Sequence, residues 1–303
     1  LSGANADLRI PLKPSQQKLA LARLYGKLSG TSVNVTLPAA IEAAVDTAAK
    51  EVSKAGANAV VLTGIQDLNA QGLVLEINAL IKSNSFDPET LVLTRQGDDK
   101  AVSKLLKDMN SGNVGAVIMA GVNPVYTLPN ASAFVEGLKK TVLSVCFSMK
   151  NDETASKTQY VGAAPHYLES WGDLEAKSGF YGLMQPTIRP LFDTQQFQEA
   201  LLVLNGTATN YHDYLKSFWE SNVLSGETWN QALHDGVYKG APLATLETAS
   251  KTQLKDFNLS KAISSLSAEK SFEYELTLYP KTGMGDSQQA NNPWLQEFPD
   301  PLT

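Results

Sequence analysis

The stretch Asn151–Asp173, NDETASKTQYVGAAPHYLESWGD, gathers Asp152, Glu153, Glu169, Asp173, His166, Tyr167 and Trp171 into one loop-like run. Two such carboxylates could serve as general acid and general base if their surroundings pushed their pKa values apart. Residue types alone favour a plainer arrangement, a solvated loop whose acids cap helices. The histidines, His166, His212 and His234, show no ligand-like spacing to one another or to a cysteine, so no metal ligand is expected. Ser–His–Asp catalysis has no G-x-S-x-G turn to support it. The single cysteine, Cys146, sits in the apolar run TVLSVCFS. A lone thiol cannot hold an iron–sulfur cluster, which takes about four protein ligands; this one is expected to be a small buried hydrophobe. No catalytic residue emerges.

The loop GVNPVYTLP, residues 121–129, is more specific. Gly121 permits close backbone approach. Asn123-Pro124 forces a turn, because proline fixes its own φ and restricts the residue before it. An asparagine there can hold a ligand or brace its own loop, and bracing is the stronger expectation. Neither G-x-G-x-x-G nor a Walker A motif occurs, and a lone Gly64 after an apolar run is more often a tight turn than a dinucleotide site.

Elements must position these loops. Residues 15–28 and 38–54 have helical patterns, the first with Ser15 as N-cap, the second with Pro38 in its first turn and Gly56 past its end. Short apolar runs at 58–64, 90–95, 115–121, 141–148 and 158–164 then read as strands, with helical patterns at 68–83, 98–110 and 132–140 and a short helix near Glu153–Lys157 between them. Apolar strands alternating with helices predict an α/β fold: a doubly wound, mainly parallel, Rossmann-like sheet with helical excursions and a C-terminal extension. Ligands of such sheets bind outside the carboxyl ends of the strands, which places Asn123, Glu153 and Glu169 together on one rim.

Further on, 211–222 and 228–236 read as helices and 272–280 as an alternating strand, before a turn-rich tail. The expected division is 1–54, an extended and helical segment; 55–206, the Rossmann-like domain; and 207–303, a helical excursion, a late strand and the start of a further cofactor-domain-like region. The tryptophans Trp171, Trp219, Trp229 and Trp294 all fall outside the predicted core strands. Most are expected to anchor the excursions, with Trp294 the candidate for an exposed, partner-facing position.

The chain has 303 residues, 43% hydrophobic and 18% charged, with a formal charge of −6. That composition is globular, and the scattered basic residues exclude a general nucleic-acid surface. No apolar run approaches the roughly 20 residues that span a bilayer, and no signal-peptide pattern is read. A start without Met and an end at EFPDPLT read as cut, so the chain is expected to be part of a longer protein.

In their order, GAVIMAGVNPVYTLP, ETASKTQYVGAAPHYLESWGD, QPTIRPLFDT and ANNPWLQEFPDP resemble the molybdopterin oxidoreductases. The resemblance is to the polysulfide and thiosulfate reductase-like branch, and is strongest to the large iron–sulfur subunit of alternative complex III, a bacterial quinol:electron acceptor oxidoreductase. HYLESWGD and TWNQALHDG carry most weight, and most of residues 55–303 are covered. By position, the resemblance implies a pterin-dinucleotide groove at Asn123, Pro124, Glu153, Thr154, Glu169, Ser170 and Gly172, with Asn292 opening the last cofactor-binding region. Catalytic members carry an Ala-Asp followed by an apolar, Leu-Pro-containing strand where this chain has TQYVGAAP. The cysteine-rich cluster domain and any molybdenum ligand are also missing from this stretch.

The resemblance therefore implies a non-catalytic structural module with a vestigial groove and no cofactor of its own. Its partners would be other subunits or domains of a membrane-bound respiratory complex at the periplasmic face of the bacterial inner membrane, with no nucleic acid and no direct membrane span. The alternative is a domain of an active enzyme that contributes to the groove for molybdopterin guanine dinucleotide. An unrelated small-molecule-binding or hydrolytic α/β protein is disfavoured by the lack of a nucleophile–base pair.

Overall fold

The computed structural model describes residues 3, 5–88, 90–94, 97–243, 257–279, 283–285 and 292–299. The chain divides into two compact units, residues 1–91 with 247–279, and 92–246 with 280–303. Helices α1 (Pro14–Ser29), α2 (Ala39–Ala55) and α3 (Leu68–Leu80) open the first unit. The second runs α4 (Asp99–Asn110), β1 (Ala116–Ala120), α5 (Pro124–Thr127), α6 (Ala131–Lys140), β2 (Leu143–Ser148), β3 (Tyr160–Ala163), β4 (Gly172–Lys177) and β5 (Phe180–Met184). It continues through α7 (Phe197–Leu204), α8 (Tyr211–Asn222), α9 (Trp229–Asp235) and β6 (Val237–Lys239). Helix α10 (Leu259–Ser267) belongs to the first unit and α11 (Pro293–Glu297) to the second.

In the first unit, helical spacing puts Leu19 and Ala22 of α1, Leu73 and Ile77 of α3 and Leu266 of α10 into one core, closed by Val33 and Val35. The N-cap of α1 is Lys13, with Pro14 as its first residue. Ser15, expected as the cap, instead donates from N and Oγ to the Glu275 carboxylate at 2.8 and 2.7 Å.

The run 58–64 is not a strand. Buried Asn78 of α3 explains why: its Oδ1 accepts from Val61 N and its Nδ2 donates to Val61 O, both at 2.8 Å. One side-chain amide thus supplies the pair of bonds that a neighbouring strand would give. The run 90–95 is no parallel strand either. Val92 forms an antiparallel bridge with Lys177, and Leu93 N donates to Ala176 O at 3.0 Å; Arg95 lies outside the described residues. The alternating run 272–280 is extended but not assigned to a strand, and Pro280 lies outside the described residues. Its Glu275 is committed to α1, and its apolar side chains Phe272, Tyr274, Leu276 and Leu278 are exposed.

In the second unit, β1, β2 and β3 form a parallel sheet in that order, with Ile118 opposite Val145 and Cys146 opposite Val161. Among the described residues, three of the five expected strands form it. The fold class is α/β. Helices α4 and α6 pack on one face, where Met109, Phe134 and Leu138 meet Val117, Met119 and Cys146. Gly137 allows that approach: a Cβ there would lie 2.9 Å from Met109 Cβ. Cys146 is fully buried, and burial pushes its thiol pKa up, helped by the Asp152 charge.

A second, antiparallel sheet runs β4-β5-β6. Leu215 and Trp219 of α8 and Trp229 and Ala232 of α9 pack on its Tyr181 and Tyr238. Of the tryptophans, Trp219 and Trp229 are buried and Trp171 is half-buried, so they anchor this region as expected. Trp294 is 81% exposed.

Candidate functional site

The parallel register puts the carboxyl ends of β1, β2 and β3 on one rim, and the loops that leave them carry Asn123, Glu153 and Glu169. At the end of β1, Gly121 takes φ +63°, a left-handed conformation that turns the chain away from the sheet. Asn123 is then the N-cap residue of the single-turn α5, and Pro124 occupies its first position.

Asn123 is bound to the next loop. Its Nδ2 donates to Glu153 Oε2 at 2.8 Å, and its Oδ1 accepts from Thr154 Oγ1 at 2.7 Å and Thr154 N at 3.2 Å. Thr154, fully buried, also accepts from Val125 N at 3.0 Å. The hydrogen bond from Asn123 holds the Glu153 carboxyl below the usual carboxylate range. Asp152 caps the same turn by accepting from Ala155 N at 2.8 Å and Ser148 Oγ at 3.2 Å. The β1 and β2 loops are therefore laced together by their own polar groups.

The β3 loop is closed in the same way. Glu169 Oε2 accepts from His166 N at 3.1 Å, and Ser170 Oγ donates to His166 O at 2.9 Å. Glu169 Oε1 accepts from Leu191 N at 3.3 Å. This is the capping-box logic expected of loop acids.

A recess of about 440 Å³ opens on this rim. Of the residues singled out by resemblance, Asn123, Glu153, Ser170 and Gly172 line it. Thr154 lies beneath it as a brace, and Pro124 is in the turn but not in the lining. Glu169 lines a neighbouring recess of about 270 Å³, which shares Pro165, Trp171 and Gln196 with the first. Asn292 joins neither: it caps α11 by accepting from Trp294 N at 3.1 Å.

Several lining residues are not legible as site residues in the sequence. Tyr126, Phe147, Tyr167 and Phe197 make the larger recess strongly aromatic, with Gln196 beside them. Phe147 and Phe197 meet with ring centroids 5.1 Å apart. The available signal was the apolar helix start after QQ at 195–196, which brings α7 to the rim. The charge of the lining is acidic: Asp152, Glu153 and Asp173 stand against Lys150 alone. A pyrophosphate is bound by cationic side chains and free backbone N–H donors. This lining presents three carboxylates against a single lysine, so the residues do not fit the pyrophosphate of a pterin dinucleotide. Among the described residues there is no cluster of His, Cys, Asp and Glu able to hold a metal. No helix among them is long and apolar enough to cross a membrane.

No protein-family model matches the chain. The menaquinone reductase molybdopterin-binding-like subunit of Nitratidesulfovibrio vulgaris is 34% identical over 112 residues, which is 34% of this chain and 16% of that protein. Acetylene hydratase from Pelobacter acetylenicus superposes on 46% of this chain and 21% of its own, with a TM-score of 0.39 and 17% identity. The matched stretch is thus a minor part of either protein. Over it, this chain is molybdopterin oxidoreductase-like.

Proposed function

We propose that the chain is a structural, non-catalytic module of a molybdopterin oxidoreductase-like subunit in a quinone-linked respiratory complex, of the kind represented by the iron–sulfur subunit of alternative complex III. The similarity to a menaquinone reductase subunit supports the complex. One observation carries the non-catalytic reading: where a cofactor would be held, the Asn123 side chain is hydrogen-bonded to the side chains of Glu153 and Thr154. A groove satisfied in this way is a wall that supports neighbouring subunits. The complex would lie at the periplasmic face of the bacterial inner membrane.

The test is molybdenum and pterin content of the intact native subunit, purified from cells grown with molybdate. Metal analysis and fluorescence of oxidised pterin are expected to find neither at stoichiometric level. Stoichiometric molybdenum with pterin would overturn the structural reading. It would favour a second one, in which this domain forms one side of the groove of an active enzyme binding molybdopterin guanine dinucleotide.

A further inference from the structure

The smaller recess, of about 270 Å³, differs in kind from the groove beside it. Its walls include the rings of Trp171, Tyr211 and His212 and the carboxylates of Glu169 and Glu199, with no Lys or Arg in the lining. Arg189, next to the lining residue Pro190, is exposed and does not line it. Trp171 and His212 are packed ring on ring, with centroids 4.5 Å apart. Glu169 is held in place by backbone N–H groups of His166 and Leu191, so its charge is preorganised. Glu199, in the first turn of α7, has no ion-pair partner among the described residues. Its plainer role is to complement the helix dipole, and that role leaves the carboxylate free to face a cation.

Aromatic faces beside carboxylates, in a small recess without lysine or arginine, are the arrangement that selects organic ammonium ions. The ring faces take the alkyl or methyl groups, and the acids take the charge. We propose that this recess binds the ammonium head of an organic cation, held by Glu169 and Glu199 against Trp171, Tyr211 and His212. Inorganic cations are poor candidates, because three aromatic walls offer few oxygen ligands. The head can come from a free alkylammonium compound or from a lysine side chain of another protein; the chemistry is shared. The site is independent of the quinone-linked reading of the chain.

Calorimetric titration of the full chain with tetramethylammonium chloride tests it, with neutral tert-butanol as the matched control. Saturable binding of the cation alone is expected, and Glu199→Gln should weaken it about fivefold. Trp171 fluorescence should change on binding in the parent and disappear from the response in Trp171→Phe. A parallel titration with N-acetyl-lysine methylamide separates the sources: tighter binding of that compound points to a protein lysine, tighter binding of tetramethylammonium to a free methylated amine. The proposal is overturned if no cation binds saturably, if tert-butanol binds equally well, or if Glu199→Gln binds as the parent does.

Discussion

The two cores of the second unit close by different means. Beneath α4 and α6 the side chains are mostly aliphatic or sulfur-bearing: Met109, Val117, Met119, Leu138 and Cys146 around Phe134. Against β5 and β6 the core is a set of rings, with Trp219 centred 5.9 Å from Tyr181, 6.1 Å from Trp229 and 6.4 Å from Tyr238. The aliphatic core has no polar tips and leaves hydrogen bonding to the loops at the strand ends. The aromatic core carries its polar atoms with it. Trp219 Nε1 donates to Asp173 Oδ2 at 2.8 Å, and Tyr181 OH donates to Ala241 O at 2.6 Å. One substitution there removes packing and a hydrogen bond at once, whereas in the aliphatic core the two are separable.

The largest effect is expected at the ring at the centre of that set. Trp219→Ala should cost about 3–5 kcal/mol, read as a shift in the denaturant midpoint. Asp173→Asn, which keeps an acceptor for the exposed end of the bond, should cost far less. Equal losses for the two would mean that the hydrogen bond, and not the ring packing, holds the core. The aliphatic core should respond oppositely to shape. Met109→Leu should cost under about 1.5 kcal/mol, because a flexible thioether conserves volume well. Gly137→Val, which must push α4 off α6, should cost about 1–3 kcal/mol or more.

A third substitution separates the loops from the core beneath them. Thr154→Val keeps the shape and removes the hydroxyl that joins Asn123 Oδ1 to Val125 N. The expected loss is about 1–3 kcal/mol, with a change in tryptophan emission as the rim beside Trp171 loosens. A neutral result would show that the rim is not braced by this network.

How much of this could be read in advance depended on where each segment finds its partners. Helices α1, α2, α4, α6, α8 and α9 were legible because each has apolar residues at helical spacing, and α1, α2 and α9 end at a glycine, Gly30, Gly56 and Gly236. The runs of β1, β2 and β3 were legible as short apolar stretches between helical patterns. The run 58–64 has an equally strand-like composition, but the backbone N–H and C=O of its central Val61 are taken by Asn78, a side chain whose reach no local pattern reveals. Val92 has the right β-branched character and goes to a different sheet, paired with Lys177. At the site, the turn at Asn123-Pro124 and the loop acids were visible from residue type. Their mutual bonding was not, because it joins residues about thirty positions apart. The same holds for Phe197 of the aromatic lining, which α7 brings from far along the chain to meet Phe147.

The cores should also differ in alkali. Burial, with the Glu175 charge, pushes Tyr181 up to about 12, and burial, with the Asp173 charge, pushes Tyr211 up to about 12. A tyrosine raised in the folded state loses its proton first in the unfolded chain. Stability is therefore complete below about 10 and falls as pH rises from about 10 toward about 12. Tyr181→Phe should flatten that decline in a melting-temperature series. An unchanged slope would place the sensitivity elsewhere.

The smallest effect concerns the first unit and lies at the acid end. Glu275 accepts from Ser15 N at 2.8 Å, Ser15 Oγ at 2.7 Å, Ser271 Oγ at 3.0 Å and Phe272 N at 3.1 Å. These donors stabilise the ionised carboxylate and lower its pKa from 4.5 to about 2, with the Ser15 backbone N–H the largest cause. A carboxyl depressed on folding contributes stability above its unfolded value and loses it as pH falls through the folded one. The attachment of residues 271–275 to the start of α1 should therefore hold at pH 5 and weaken progressively between about 4.5 and about 2. Amide exchange at Ser15 and Phe272 would follow it directly, since both N–H groups are protected by this carboxylate. In Glu275→Gln the side chain still accepts one bond but carries no charge, so protection should be low at every pH and the acid transition should vanish. If the parent keeps both amides protected at pH 2, the segment is held by other contacts such as the bond from Lys13 Nζ to Phe272 O, and the carboxylate is incidental.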